Sequence, residues 1–297
     1  MTDYFVFAFD HRNSLRNWLS SLDIAPSEQP AIATLAKGLA LEGLSEALRS
    51  LTVNEVGMLL VDDEYGSAAI ARARTLGVST VVPVERSGQP EFIFEHGEDD
   101  FWARFVETGA DTVKALVRYN PEGDASANAR SRDRLAKLAV AAERAGTDLM
   151  LELLVPPSAA QLEVAGGVVE RYDETVRADL VLEAMAQLAA ADIRPRWWKL
   201  EPYQAVEPAR RVAAYGAAHA RSGCLVLGRG ADRELVAEWV ATAAGVPGYS
   251  GFAIGRTLWV EPLHEFLQHR CDERDVAAKM AANYLYFVNV YRQQKGS

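Results

Sequence analysis

The sequence predicts a closed (β/α)8 barrel, a TIM barrel, with residues 1–297 forming one domain. Three observations lead there. A short β-rich run, a polar or glycine turn and a longer Ala/Leu/Arg-rich stretch recur eight times along the chain. Strands separated by single helices imply right-handed crossovers and a parallel sheet, and eight such units in fewer than 300 residues match closure better than an open sheet. The first strand run ends Phe9-Asp10-His11-Arg12, where an open nucleotide-binding sheet would carry a glycine-rich turn.

The eight strand runs are residues 4–9, 56–61, 80–84, 112–117, 149–155, 197–200, 224–227 and 252–254. The first is followed by a helical stretch over 30–48 and the second by one over 66–75. The acidic cluster at 95–100, after the third, reads as a solvated loop or a helix start. Helical stretches over 131–145, 178–191, 208–222 and 232–244 follow runs four to seven. After the eighth, residues 275–291 read as a closing helix with aromatic residues. Its Tyr284, Tyr286, Phe287 and Tyr291 could pair with a second copy in a homo-oligomer or pack on the barrel. No linker, low-complexity tract or charge block divides the chain.

Composition narrows the function. Hydrophobic residues make up 49% and charged residues 24%, as in ordinary water-soluble proteins. The formal net charge of −10 argues against nucleic acid and acidic membranes as partners, which need a basic face. An anionic small substrate stays open, because a few arginines in one pocket can hold a phosphate. Cys224 and Cys271 form no C-x-x-C pair and read as free thiols in a reducing cytoplasm. Met1-Thr2-Asp3-Tyr4 shows no basic leader, and no apolar run reaches the ~18 residues of a membrane span. The expected location is cytoplasmic.

In such barrels catalytic groups project from the C-terminal ends of the strands. Here the runs are apolar first and polar last. They end in Asp10-His11-Arg12, Asp62-Asp63-Glu64, Glu85-Arg86-Ser87-Gly88, Lys114 to Asn120, Glu152, Lys199 to Glu201, Gly228-Arg229-Gly230 and Gly255-Arg256. A purely structural barrel would not need polar ends in all eight places. Lys114 and Lys199 lie inside strand runs, whereas Lys37, Lys137, Lys279 and Lys295 fall in helical stretches or the tail. Burial among apolar groups should lower a strand lysine toward neutrality, and a neutral amine can attack a carbonyl to form an iminium, an electron sink. Each lysine could instead be half of a buried ion pair, or bind phosphate as a point charge.

Period-two alternation puts Lys114 on a face with Leu116 and Arg118, Glu152 with Met150 and Leu154, and Lys199 with Trp197 and Glu201. If those faces point inward, Lys114, Glu152 and Lys199 converge from strands four, five and six around one small carbonyl compound. Glu152 would then shuttle protons or orient a lysine. The glycines Gly228, Gly230 and Gly255 permit close backbone approach, and Arg229 and Arg256 add guanidinium forks, so the last two strand ends suit a phosphate. Asp10 is a candidate hydroxyl ligand or acid–base group. His11 and Arg12 could contact substrate or cap the turn. The five histidines are scattered, so neither a metal nor another cofactor is expected.

The series of strand ends also resembles a known family. Phe9-Asp10-His11-Arg12, Val61-Asp62-Asp63-Glu64-Tyr65-Gly66, Pro83-Val84-Glu85-Arg86-Ser87-Gly88-Gln89, Val113-Lys114 through Asn120-Pro121, Leu151-Glu152 through Pro156, Trp198-Lys199-Leu200-Glu201, Leu227-Gly228-Arg229-Gly230-Ala231 and Gly251 through Thr257 recur in that order in the aldolase-like domain fused behind the sugar kinase of some bacterial inositol-catabolism proteins. The likeness covers nearly the whole chain, without a kinase half. It implies retro-aldol cleavage of 2-deoxy-5-keto-gluconate 6-phosphate to dihydroxyacetone phosphate and malonate semialdehyde. More remotely the layout is similar to class I tagatose-bisphosphate and sulfofructose-phosphate aldolases. That resemblance implies Lys199 as the Schiff-base residue, Lys114 as its partner and Glu152 as the proton shuttle. It implies Arg229, Gly255 and Arg256 as phosphate ligands, and Arg12, Glu85, Arg118, Glu201, Gly228 and Gly230 complete the expected substrate contacts. The sequence reading is therefore a class I aldolase for a phosphorylated keto sugar. A non-catalytic sugar-phosphate-binding barrel with a regulatory role and a non-covalent isomerase or epimerase stand beside it as alternatives.

Overall fold

Period-two alternation sorts the strand side chains onto two faces, and both faces are apolar, as expected of parallel strands covered on both sides. A computed structural model describes residues 2–295. Met1, Gly296 and Ser297, which the expected domain span of 1–297 includes, lie outside the described residues. The first half of the chain runs β1 (Asp3–Phe9), α1 (Asn13–Ser21), α2 (Gln29–Leu48), β2 (Glu55–Val61), α3 (Asp63–Leu76), β3 (Ser79–Pro83), α4 (Gly97–Thr108), β4 (Thr112–Arg118), α5 (Ala125–Ala145) and β5 (Asp148–Leu154). The second half continues α6 (Ala159–Val164), α7 (Val169–Thr175), α8 (Arg177–Ala190), β6 (Trp197–Leu200), α9 (Val206–His219), β7 (Cys224–Leu227), α10 (Arg233–Ala244), β8 (Tyr249–Ile254), α11 (Arg256–Leu267) and α12 (Glu273–Lys295). The strands close in sequence order, every neighbouring pair parallel and β8 returning to β1. This is the expected TIM barrel.

Inward-facing Val6, Met58, Leu60, Val81, Met150 and Leu225 fill the barrel, and Tyr4 meets Trp197 edge to face at 4.9 Å at its N-terminal end. Outward-facing Phe5, Phe7, Phe9, Leu59 and Val113 join a larger core beneath the helices. The closing helix α12 buries Tyr284, Phe287 and Tyr291. The Tyr284 hydroxyl donates to the carbonyl of Phe5 at 2.7 Å, so these rings pack on the barrel, while Tyr286 stacks under the Arg233 guanidinium at 3.9 Å.

Strand positions follow the sequence reading closely except at β8. It starts at Tyr249, earlier than expected, because Ser250-Gly251 carry no strand signal. Gly251 has φ of 139°, and a Cβ there would lie 1.9 Å from the carbonyl oxygen of Tyr4. Glycine is what allows β8 to meet β1. Four helices fall outside the expected helical stretches: α1, α6, α7 and α11. The acidic cluster proves to be a helix start, with Glu98, Asp99 and Asp100 in the first turn of α4, where the helix dipole favours negative charge. Among the described residues no helix is long and apolar enough to cross a membrane.

Candidate active site

The inward-facing register that packs Met150 in the barrel sends the next residue on that face, Glu152, toward the mouth. Glu152 lies opposite Lys199 in the β5–β6 ladder. The Lys199 ammonium reaches the Glu152 carboxylate at 2.9 Å, and Lys114 reaches the same oxygen, Oε2, at 2.9 Å. Lys114 also meets Asp10 at 2.8 Å and Glu85 at 2.6 Å. Two lysines and three carboxylates, on β4, β5 and β6 and just past the ends of β1 and β3, thus share one cluster, and the Lys114, Glu85, Glu152 and Lys199 side chains are all buried.

Asp10 is held in place from below. The buried Lys37 of α2 donates to the carbonyls of Phe9 at 2.7 Å and His11 at 3.3 Å, and pairs with Asp62. Asp62 also accepts from the Tyr65 amide at 2.9 Å, capping α3. The acidic end of β2 therefore anchors β1 and starts a helix. Glu85 is oriented by the segment after β3, which folds back to bridge Glu85 to Phe94.

The charges in the cluster depend on one another. Burial lowers the affinity of the Lys114 amine for its proton, but Asp10, Glu152 and Glu85 together outweigh it and hold Lys114 well above the ordinary lysine range. The expectation that burial drives a strand lysine toward neutrality is overturned here. The reason is that Lys114 is buried among carboxylates, not among apolar groups. Burial likewise raises Asp10, yet Lys114, Lys199 and His11 hold it far below the carboxylate range. Burial raises Glu152 too, and Lys114 and Lys199 pull it low. In Glu85, burial wins over Lys114 and Arg12, and its carboxyl stays raised. His11 borders the cluster, its Nδ1 4.0 Å from Asp10. Burial, reinforced by Lys199 and Arg256, lowers its imidazole to about 4 against the pull of Asp10, so it is neutral at physiological pH.

The residues assigned to substrate binding distribute around the rim. Arg12 is turned away from the cluster. Its guanidinium donates to the Glu85 carbonyl at 2.6 Å and pairs with Glu95 at 2.9 Å, fastening α1 to the segment after β3. Arg118, at the end of β4, donates to the Gln89 carbonyl at 2.9 Å. It lines a mouth cavity of about 150 Å³ with Glu201 and Arg229. Arg229, with a positive φ of 47°, lies between Asp173 and Glu201, 3.0 Å from the latter. Burial keeps the Glu201 carboxyl raised against Arg177 and Arg229. Arg256 opens α11, is exposed, and donates to the Arg229 carbonyl at 2.7 Å. Gly230 gives it room, since a Cβ there would lie 2.1 Å from its guanidinium carbon. Gly255 is the N-cap of α11 and supplies no side-chain cap; its carbonyl accepts from the Leu258 amide at 2.8 Å, and the amides of Arg256 and Thr257 lie at the helix start, where no acceptor within the helix is in reach. Gly228 ends β7 against Val236 and Ile254.

Two residues that hold the site escaped the sequence reading. Asp173 on α7 pairs with both Arg229 and Arg177, and Arg177 opens α8. Both lie on helical segments, away from the polar strand ends that mark the other site residues. In the sequence Lys37 reads only as a helical lysine, because nothing local marks it as fully buried.

Residues 1–295 match the family model described as "Uncharacterized protein conserved in bacteria (DUF2090)". No curated protein matches the sequence. Among solved structures, fructose-bisphosphate aldolase from Plasmodium falciparum, crystallised in complex with TRAP and a small-molecule inhibitor, superposes with a TM-score of 0.67 at 12% identity. The match covers 100% of this chain and 91% of that one, and it carries the fold.

Proposed function

This chain belongs to the DUF2090 family, and we propose that it is a class I, Schiff-base aldolase that cleaves a phosphorylated keto sugar or sugar acid and releases dihydroxyacetone phosphate. The observation that carries this reading is the shared carboxylate: Glu152 Oε2 sits 2.9 Å from both Lys114 and Lys199. The barrel likeness to an aldolase supports it at the level of fold.

Lys114 is locked as an ammonium by three carboxylates, which fits a fixed electrostatic role. Lys199 touches one carboxylate of the cluster and is the better nucleophile. Its free amine would add to the ketose carbonyl, giving a carbinolamine. Glu152, 2.9 Å from Lys199, would take the ammonium proton as the amine adds and return it to the carbinolamine hydroxyl, which leaves as water and gives an iminium. Glu152 or Asp10 would take the proton of the substrate hydroxyl as the carbon–carbon bond breaks, the electron pair of that bond passing into the iminium to form an enamine. The aldehyde then departs. Protonation of the enamine and hydrolysis would free the ketone phosphate and restore Lys199. The ammonium of Lys114 would stabilise the oxyanion that develops beside it. Arg256, Gly255 and the first turn of α11 would hold the phosphate, and Arg118 would hold the far end of the substrate. The resemblance of the strand ends points to 2-deoxy-5-keto-gluconate 6-phosphate, which would place the enzyme in inositol catabolism.

The test is borohydride reduction with that compound, with fructose and tagatose bisphosphates and with dihydroxyacetone phosphate, followed by intact-mass and peptide mass spectrometry. A reduced adduct on Lys199, absent from Lys199→Met, is the expected result. An adduct on Lys114 would exchange the lysine roles, and no adduct with any ligand that binds would refute the covalent step.

A further inference from the structure

The helix α5 buries Asn128, Ser131, Leu135, Leu138 and Ala142. Beside that face runs a second stripe: Asp133, Ala136, Lys137, Val140, Ala141 and Arg144. Positions three and four apart share one side of a helix, and these six line an open groove between α5 and α4, with Phe101 and Trp102 on its other wall. Val140 is 44% exposed, and Val106, one turn beyond Trp102 on α4, is 58% exposed. Exposed apolar surface collected in one place, rather than scattered singly, marks an interaction site. None of Asp10, Glu85, Lys114, Glu152 or Lys199 lines the groove.

The charges on this face are sorted. Arg130 pairs with Glu91 at 2.9 Å, Arg134 with Glu98 at 2.9 Å, and Lys137 also with Glu98. Asp133 and Arg144, exposed at opposite ends of the stripe, have no ion-pair partner among the described residues. One end of the groove is therefore acidic and the other basic, with Ala136, Val140 and Ala141 between them. A polyanion or a polycation would meet the wrong charge at one end. The partner that fits carries the same charges in reverse order, and a second copy of the stripe does so when turned end for end. Reversed about its centre, the stripe sets Asp133 opposite Arg144, Ala136 opposite Ala141 and Lys137 opposite Val140. Glu98 holds the Lys137 ammonium, which leaves its hydrocarbon stem to cover the valine.

We propose that the α4–α5 face pairs with a second copy of this chain in a two-fold dimer, α5 running antiparallel to its counterpart, with Asp133 meeting the partner subunit's Arg144 at both ends and Ala136 meeting the partner subunit's Ala141 at the crossing. Self-complementarity under a two-fold rotation is what an isologous interface requires. The small alanines let the two helix axes approach to about 8–10 Å. The 21 residues of α5 make a helix about 31 Å long, and α4 beside it widens the face to about 20 Å. That is about 600 Å² per copy, at the small end of specific interfaces, so the dimer should dissociate on dilution.

The test is sedimentation velocity of the full chain from about 1 to 100 µM, a range that brackets a weak dimer. The expected result is a monomer–dimer equilibrium, and Val140→Glu should leave monomer throughout. Arg144→Asp alone, or Asp133→Arg alone, sets like charges against each other at both ends and should weaken association on the order of tenfold. Combined in one chain, the two substitutions exchange the charges and should return the dissociation constant to the wild-type value. Asp133, Val140 and Arg144 are all exposed, so the variants should fold, and thermal melting would verify it. Wild type that stays monomeric across the range, a dimer that survives Val140→Glu, or a double variant no tighter than the single ones would each overturn the proposal. The readout involves no turnover, so it stands or falls separately from the aldolase reading.

Discussion

His11 is neutral in the folded barrel down to about pH 4, while an unfolded imidazole takes up its proton near pH 6.5. Between those values the unfolded state binds more protons, so stability falls as pH drops through the window, by on the order of 3 kcal/mol when complete. Below it, Asp10 adds to the loss. Its folded carboxyl is held low, so its contribution is present above an ordinary carboxylate pKa and disappears under acid. Urea unfolding of wild type and His11→Asn between pH 7 and pH 4 should show the slope in the first and a flatter line in the second. Parallel curves would remove His11 as the source. At this scale the candidate residues at the strand ends were readable, because a polar side chain ending an apolar run stands out locally. The protonation state of Lys114 was not readable. It depends on Asp10 and Glu85, which are distant in sequence and become neighbours only when the barrel closes.

The helices divide by what they announce. α2, α5 and α10 lie in Ala/Leu/Arg-rich stretches and are legible in the sequence. α1 and α7 are short and α11 carries an internal proline, Pro262, and they are held by contacts made elsewhere: Arg12 to Glu95, Asp173 to Arg229, Asn283 to the Leu258 carbonyl at 3.1 Å. The closing helix α12 is fastened by one such contact. Arg292 donates to the Glu55 carboxylate at 2.8 and 2.6 Å and to the Ser50 carbonyl at 2.9 Å. Hydrogen bonds from Arg292 hold the Glu55 carboxyl at about 2 against the effect of burial. Arg292→Ala should cost about 1–2 kcal/mol near pH 7. A depressed carboxyl contributes above its unfolded pKa, so the gap between variant and wild type should close as pH falls from the ordinary glutamate range toward 2. Chemical denaturation at several pH values would measure it, and a gap that does not depend on pH would assign the effect to packing.

At the scale of the molecule, closure of the barrel depends on the seam between β8 and β1. Gly251→Ala places a methyl group into the Tyr4 carbonyl from a backbone that favours glycine. It should lose several kcal/mol, on the order of 3–5, and lower the yield of folded protein. Gly38→Ala is the control: it lies in α2 with nothing within 4 Å of the new methyl, and should hold or gain up to about 1 kcal/mol. Equal melting temperatures for wild type and Gly251→Ala would show that the seam can relax. Alternating strand and helix signals, apolar strand starts and polar strand ends lie in short stretches of chain, so they were enough to name the barrel and the residues at its mouth. Which of those residues meet was decided by barrel closure. It joined Glu152 to both Lys114 and Lys199, turned Arg12 away toward Glu95 and set Asp173 on Arg229, because ion pairing and burial act across space between groups that the sequence keeps far apart.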